Sequence, residues 1–259
     1  MAFHKAYAPG EVCWADLQTP DVAAAKEFYG ALFGWRFEDL PTPDGRSYAQ
    51  AFLGGDLVSV IAPQNPAQGQ SGTPAQWNVY FAVDDAAGLA ADVPHTGGAV
   101  DFGPEAVGDT GTMVFFTPPG GGATGAWQPG THIGAARAGE AGALSWVELL
   151  TPEPQRAVGC FQTLFGHDVT EYPQDDGGTY TTLMVDGVEV AGIATVPAGD
   201  KHLDPGWQVY FGVDSVPAAV EAARAAGATV LVEPEDVEEA GTIATIRDPQ
   251  GGVISLLEV

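Results

Sequence analysis

Two short segments place an indole and a carboxylate two residues apart: Trp14 with Asp16 in VCWADL, and Trp146 with Glu148 in LSWVEL. In an extended strand, residues two apart share a face, so each pair points the same way. Two further segments, QWNVYFAVDD (76–85) and GWQVYFGVDS (206–215), set an amide beside a phenol at the same spacing: Asn78 with Tyr80, Gln208 with Tyr210. A carboxylate turned inward must be solvated, paired, or pushed toward its neutral form by burial. Asp16 and Glu148 are therefore the candidate general acids or bases, or hydrogen-bond anchors for a hydroxylated aromatic ligand. A structural hydrogen bond to Tyr80 or Tyr210 is the competing expectation. Trp14 and Trp146 offer stacking surface to a ligand, or fill core.

These pairs belong to a repeat that covers nearly the whole chain of 259 residues. VCWADLQTPD (12–21) returns as LSWVELLTPE (144–153), and FYGALFGW (28–35) as CFQTLFGH (160–167). SYAQAFLGG (47–55) returns as TYTTLMVDG (179–187), all at an offset of 132 that becomes 130 for the remainder. Self-similarity at a fixed period marks a duplicated domain. The expected domains are residues 1–134 and 135–259, joined within the Gly- and Ala-rich stretch 128–142. In each copy an alternating strand is followed by a helix with a Thr-Pro start (Thr19, Thr151) and a Gly stop (Gly34, Gly166). Three short strands follow, and the pattern then recurs with helices near 85–93 and in VPAAVEAARAAGA. Alternation assigns Val12, Trp14, Asp16, Leu144, Trp146 and Glu148 to the inward face, and Cys13, Ala15 and Leu17 to the helices. Asp84 and Asp214 read as helix caps.

Charge narrows the function. Thirty-four acidic residues against nine basic ones give a net charge of −25, which repels phosphate backbones and anionic membranes. Nucleic acid and membrane are not expected partners. No apolar run is long enough to cross a bilayer, the N-terminus has no signal-peptide core, and cytoplasm is the expected location. Two cysteines, Cys13 and Cys160, make no disulfide framework and read as small buried hydrophobes. The five histidines (His4, His95, His132, His167, His202) show no metal-ligand spacing.

The sequences TPD…KEFYGALFGW, WNVYFAVDD, WQVYFGVDS and DPQGGVISLLEV resemble the vicinal oxygen chelate superfamily, which includes glyoxalases, bleomycin-resistance proteins and extradiol dioxygenases. The resemblance implies an α+β fold of two tandem domains, each with two βαβββ units curled into a U-shaped cleft. It also implies that metal-binding members draw ligands from the first, fourth, fifth and last strands of each cleft. Those positions map to Trp14, Val60, Asn78 and Thr124 in the first copy, and to Trp146, Gly192, Gln208 and Ser255 in the second. None is His, Cys, Asp or Glu, so no metal and no other cofactor is expected. The expectation is a protein that holds a small, aromatic molecule through Trp14, Asn78, Tyr80, Thr124, Trp146, Gln208, Tyr210 and Ser255, as a monomer or homodimer. By analogy with the bleomycin-resistance branch, the acidic surface would suit a cationic ligand. The alternative is an enzyme of the lyase, isomerase, dioxygenase or hydroxylase kind, either metal-free with Asp16 or Glu148 as acid/base or using ligands not evident in the sequence.

Overall fold

The computed structural model describes residues 2–41, 45–65, 68, 71–174, 177–196, 205–237 and 240–259; His202 lies outside them. The first half begins with a short strand β1 (Ala2–Phe3), then β2 (Val12–Thr19), helix α1 (Val22–Phe33), β3 (Arg36–Pro41), β4 (Ser47–Leu53) and β5 (Asp56–Pro63). The unit recurs as β6 (Gln76–Ala82), α2 (Ala86–Asp92), β7 (Ala99–Val107), β8 (Gly111–Thr117) and β9 (Thr124–Pro129). After β10 (Arg137–Ala138), the second half repeats it with β11 (Leu144–Thr151), α3 (Pro154–Phe165), β12 (Asp168–Pro173), β13 (Thr179–Val185) and β14 (Val188–Thr195). Its last unit is β15 (Gly206–Val213), α4 (Val216–Ala225), β16 (Thr229–Val237), β17 (Gly241–Arg247) and β18 (Val253–Glu258).

Each half forms one eight-stranded mixed sheet, in the order β3-β4-β5-β2-β6-β9-β8-β7 and, equivalently, β12-β13-β14-β11-β15-β18-β17-β16. The first strands of the two units, β2 with β6 and β11 with β15, meet antiparallel at the centre. This is the tandem βαβββ architecture the repeat implies.

The helix-bearing faces of the two sheets share one apolar core. Phe33 and Trp77 of the first half lie 4.9 Å from Phe211 of the second, and Phe81 lies 5.3 Å from Phe161 and 5.5 Å from Trp207. A buried polar link crosses the same seam: the Tyr29 hydroxyl donates to Asp248 at 2.6 Å and accepts from the Trp77 indole N–H at 3.1 Å. With helices and seam on one face, the opposite face of each sheet is left to form a cleft.

Local signals hold with small displacements. Gly34 and Gly166 end their helices in the left-handed conformation (φ 71° and 73°), as C-caps prefer. The N-caps fall two residues later than the Thr-Pro signals, at Asp21 and Glu153. Thr19 and Thr151 instead accept the backbone N–H of Asp21 and Glu153. Asp85 and Ser215, not Asp84 and Asp214, cap α2 and α4. Cys13 and Cys160 are buried and free. Among the described residues, no helix is long and apolar enough to cross a membrane.

A bulge corrects the alternation of both first strands. The pairing register slips between Val12 and Trp14, and again between Leu144 and Trp146. One extra residue at a bulge reverses the faces beyond it. Val12 and Leu144 therefore pack into the shared core, while Cys13 joins Trp14 on the cleft side.

Candidate functional site

Strand pairing brings the predicted residues into rows on the open faces. In the first half Trp14 stands across from Tyr80, and Asp16 from Asn78 on one side and Val60 on the other. In the second, Trp146 stands across from Tyr210, and Glu148 between Gln208 and Gly192. Tyr210 continues laterally to Ser255, whose hydroxyl lies 2.9 Å from that of Thr245. Nine of the ten candidate site residues thus fall into these rows.

Thr124 is the exception. Its hydroxyl accepts the Trp207 indole N–H at 3.0 Å and donates to Gly122 O at 2.8 Å, so it faces the seam between the halves. The place beside Tyr80 belongs to Gly125. Counting forward from the proline turns misplaces this residue by one, because a constant offset of 130 pairs Gly125, not Thr124, with Ser255.

The two clefts differ in what they leave free. In the first, both Asp16 oxygens are taken: Oδ1 accepts from the Asn78 amide and Oδ2 from the Tyr80 hydroxyl, each at 2.7 Å. Burial pushes the Asp16 carboxyl up to about 6, although these two bonds favour its charged form. Trp14 is only 6% exposed and packs with Trp127, Tyr80 and Met113. The joining segment closes over this cluster: Ala135 N donates to Cys13 O, Ala136 N to Leu57 O, and the Trp127 indole to His132 O, all at 2.8 Å. The His132 ring meets the edge of Trp14 at 4.7 Å between centroids. Gly134 is required at this crossing, since its φ is 115° and a side chain would strike the Cys13 backbone. Trp14 and Asp16 are therefore core and hydrogen-bonded structure in this half.

The second cleft stays open. Trp146, Glu148 and Tyr210 are only half-buried. The Tyr210 hydroxyl donates to Glu148 Oε2 at 2.8 Å, and the Trp146 indole N–H to Tyr180 Oη at 2.9 Å. Burial raises the Glu148 carboxyl above its ordinary range, with the Tyr210 bond opposing the shift. Gln208, 7% exposed, has a buried Oε1 with no hydrogen-bond partner. Such an acceptor is costly to leave unmade. A cavity of about 570 Å³ opens beside it where the two halves meet, lined also by Arg247, Val253 and Trp207 and, from the first half, by residues 73–77 with Gly122 and Ala123; Trp146, Glu148 and Tyr210 stand outside its lining. A smaller one of about 180 Å³ flanks Trp146, walled by Tyr7, Val190 and Glu189.

A family model for the Glyoxalase/Bleomycin resistance protein/Dioxygenase superfamily matches residues 12–123 and 143–256, the two sheets in turn. The chain belongs to that superfamily. It is 40% identical over 255 residues to the protein named "Putative glyoxylase CFP32" of Mycobacterium bovis, covering 97% of this chain and 96% of that one. It is 35% identical over 269 residues to the anthracycline biosynthesis protein DnrV of Streptomyces peucetius, covering 98% and 94%. Among solved structures, the Mn(II)-bound glyoxalase of Novosphingobium aromaticivorans has the same fold, with TM-score 0.67 at 18% identity, over 96% of this chain and 82% of that one.

Metal-binding superfamily members imply a divalent ion in the cleft, and the residues here do not fit one. The four positions are Trp14, Val60, Asn78 and Gly125 in one half and Trp146, Gly192, Gln208 and Ser255 in the other. An amide and a hydroxyl are too weak to displace the ion's water shell without an anionic or imidazole donor. Nor is there room to restore one at the two glycines. A Cβ at Gly125 would overlap the Tyr80 ring, and a Cβ at Gly192 would overlap the Tyr180 hydroxyl. Among the described residues, no group of three His, Cys, Asp or Glu converges elsewhere.

Sequence reasoning missed Arg247 and Tyr180. Arg247 had a signal: the offset of 130 sets it against Thr117, so the second copy alone carries a cation at this place.

Proposed function

We propose that the cleft of the second half binds a planar, hydroxylated aromatic molecule without a metal ion. The observation that carries this reading is the buried Gln208 Oε1, without a hydrogen-bond partner among the described residues, on the residue across from Glu148 and beside a cavity of about 570 Å³. Gln208 Oε1 is an acceptor at this cavity and the Glu148 carboxylate, on the adjoining strand, keeps Oε1 beyond its bond from Tyr210, so a phenolic hydroxyl supplies a donor to this pair of positions. Trp77 and Trp207 line this cavity, Trp146 lines the smaller one, and Tyr210 stands beside Trp146, so aromatic surface is available to the ring. The relatives named for anthracycline biosynthesis are consistent with such a ligand, because an anthracycline carries a fused, hydroxylated ring system. The first half then serves as a scaffold, its own cleft filled by the joining segment. The chain acts as a monomer or homodimer, since the duplicated halves already bury their helix faces against each other.

A second reading is that this cleft transforms its ligand, with Glu148 as general acid or base. One observation favours it: burial raises the proton affinity of this carboxyl, which stands one strand from Gln208 at the edge of the cavity.

Calorimetric titration of EDTA-treated protein with 1,4-dihydroxyanthraquinone tests the binding reading. Heat of binding that is retained without metal, weakened by Glu148→Gln and kept by Asp16→Asn supports it. Binding that appears only on adding a divalent ion, or that Asp16→Asn abolishes and Glu148→Gln spares, overturns it. Conversion of the bound compound, absent in Glu148→Gln, would move the protein to the enzymatic reading.

A further inference from the structure

Arg247 stands in the same row as Glu148. Gln208 lies beside Glu148, Val253 is the next position across the parallel pairing of β15 with β18, and Arg247 is the register partner of Val253 on β17. The row crosses four neighbouring strands, so its ends are roughly 14 Å apart at about 4.8 Å per strand. Alternation puts Arg247 on the cleft face, because Thr245 two residues before it reaches Ser255 there while Ile246 between them is core. Arg247 lines the cavity of about 570 Å³ together with Gln208 and Val253.

Among the described residues this guanidinium has no counter-charge. The chain carries 34 acidic residues against nine basic ones. Lys26, Arg137, Arg156 and Arg224 all sit in ion pairs with nearby carboxylates. Arg247 is half-buried and, among the described residues, has no ion-pair partner. Its chain neighbour Asp248 does not serve. That carboxylate accepts from the Tyr29 hydroxyl at 2.6 Å and from Gln250 N and Gly252 N at 2.8 Å each. In the first half the equivalent residue is Thr117, whose hydroxyl donates to Asp101 at 2.7 Å, so the cation is peculiar to the open cleft.

We infer that the ligand of the second cleft is an aromatic carboxylate, held by a hydroxyl at Glu148 and Gln208 and by its carboxylate at Arg247. This rests on the binding reading above and names the charge it requires. A planar fork of N–H donors matches a carboxylate bidentately. In a protein whose surface repels anions, a cation that no described carboxylate pairs discriminates for the anion at short range, within a screening length of about 8 to 10 Å. The cationic ligand suggested by net charge alone would instead face Arg247 inside the cleft.

The test compares 1,4-dihydroxyanthraquinone-2-carboxylate with its 2-carboxamide, titrated calorimetrically into wild-type protein, Arg247→Gln and Arg247→Lys. The expected result is preference for the carboxylate by about tenfold or more, lost in Arg247→Gln and partly kept in Arg247→Lys. The ratio between the two compounds is the readout, because a merely structural role for Arg247 would lower both affinities together. Equal binding of carboxylate and carboxamide by the wild type overturns the inference and leaves the binding reading standing. If neither compound nor the parent 1,4-dihydroxyanthraquinone binds, the binding reading fails and takes this inference with it.

Discussion

Gln208 stands directly across from Glu148 in the pairing of β11 with β15, yet among the described residues its buried Oε1 accepts no hydrogen bond. Sixty-two residues separate Asn78 from Asp16 in the other half, and there the same cross-strand pair is closed by a 2.7 Å bond from the amide to the carboxylate. One cleft has satisfied its amide and carboxylate together; in the other the amide oxygen is left beside open space and, among the described residues, the carboxylate accepts from Tyr210 alone. That difference is why the second half is the proposed site.

The first prediction concerns pH and binding. A phenol donates to the ionised Glu148 carboxylate, and burial places that ionisation above the ordinary carboxylate range. Affinity for 1,4-dihydroxyanthraquinone is therefore low in acid, rises as the pH climbs through the raised Glu148 pKa, and then levels off. Glu148→Gln should weaken binding by roughly tenfold, about 1.4 kcal/mol, and remove the acid limb. Calorimetry across pH 4 to 8 checks both.

Asp16 governs stability rather than binding. Its folded-state pKa of about 6 exceeds the unfolded value of 3.8, so the folded protein holds this proton more tightly. The contribution to stability is fully present below about pH 4 and is lost as the pH rises through about 6, by at most about 3 kcal/mol. Urea unfolding at pH 4 and pH 7.5 should show a smaller loss of stability in Asp16→Asn than in the wild type.

The seam between halves depends on Tyr29. Phenylalanine there leaves the buried Asp248 carboxylate and the Trp77 N–H each short of a partner. A loss of about 2 to 4 kcal/mol is expected, seen as a lower urea midpoint. Because both halves share one core, the transition should remain single, without an early phase from one half.

Gly192 lets Tyr180 lie where a metal ligand would otherwise project. Alanine at this position drives the Tyr180 hydroxyl away and breaks its bond to the Trp146 indole. The expected outcome is weaker binding of 1,4-dihydroxyanthraquinone with the indole wall displaced. The Gly192→His protein should gain no tight zinc or nickel binding, measured by equilibrium dialysis.

Much of this was legible in the sequence because a duplicated strand shows its own register. The shared inward face of Trp14 with Asp16 and of Asn78 with Tyr80, and of their copies, follows from period-two alternation once the repeat is aligned; which residue stands across from which comes from the strand pairing. The bulges at Cys13 and Ser145 were not legible: an inserted residue leaves no mark on the apolar pattern, so Val12 and Leu144 read as cleft residues and are core. Thr124 failed through a one-residue slip at a proline turn. The closing of the first cleft by Gly134, Ala135 and His132 is a long-range backbone contact, carried by no local periodicity.

The most direct test is the structure of the protein with 1,4-dihydroxyanthraquinone bound. The account predicts the ring in the second cleft against Trp146, a ligand hydroxyl within hydrogen-bond distance of Glu148 and Gln208, and no ion between them. A ring seated beside Trp14 in the first half, or a divalent ion coordinated by protein atoms in either cleft, would contradict it.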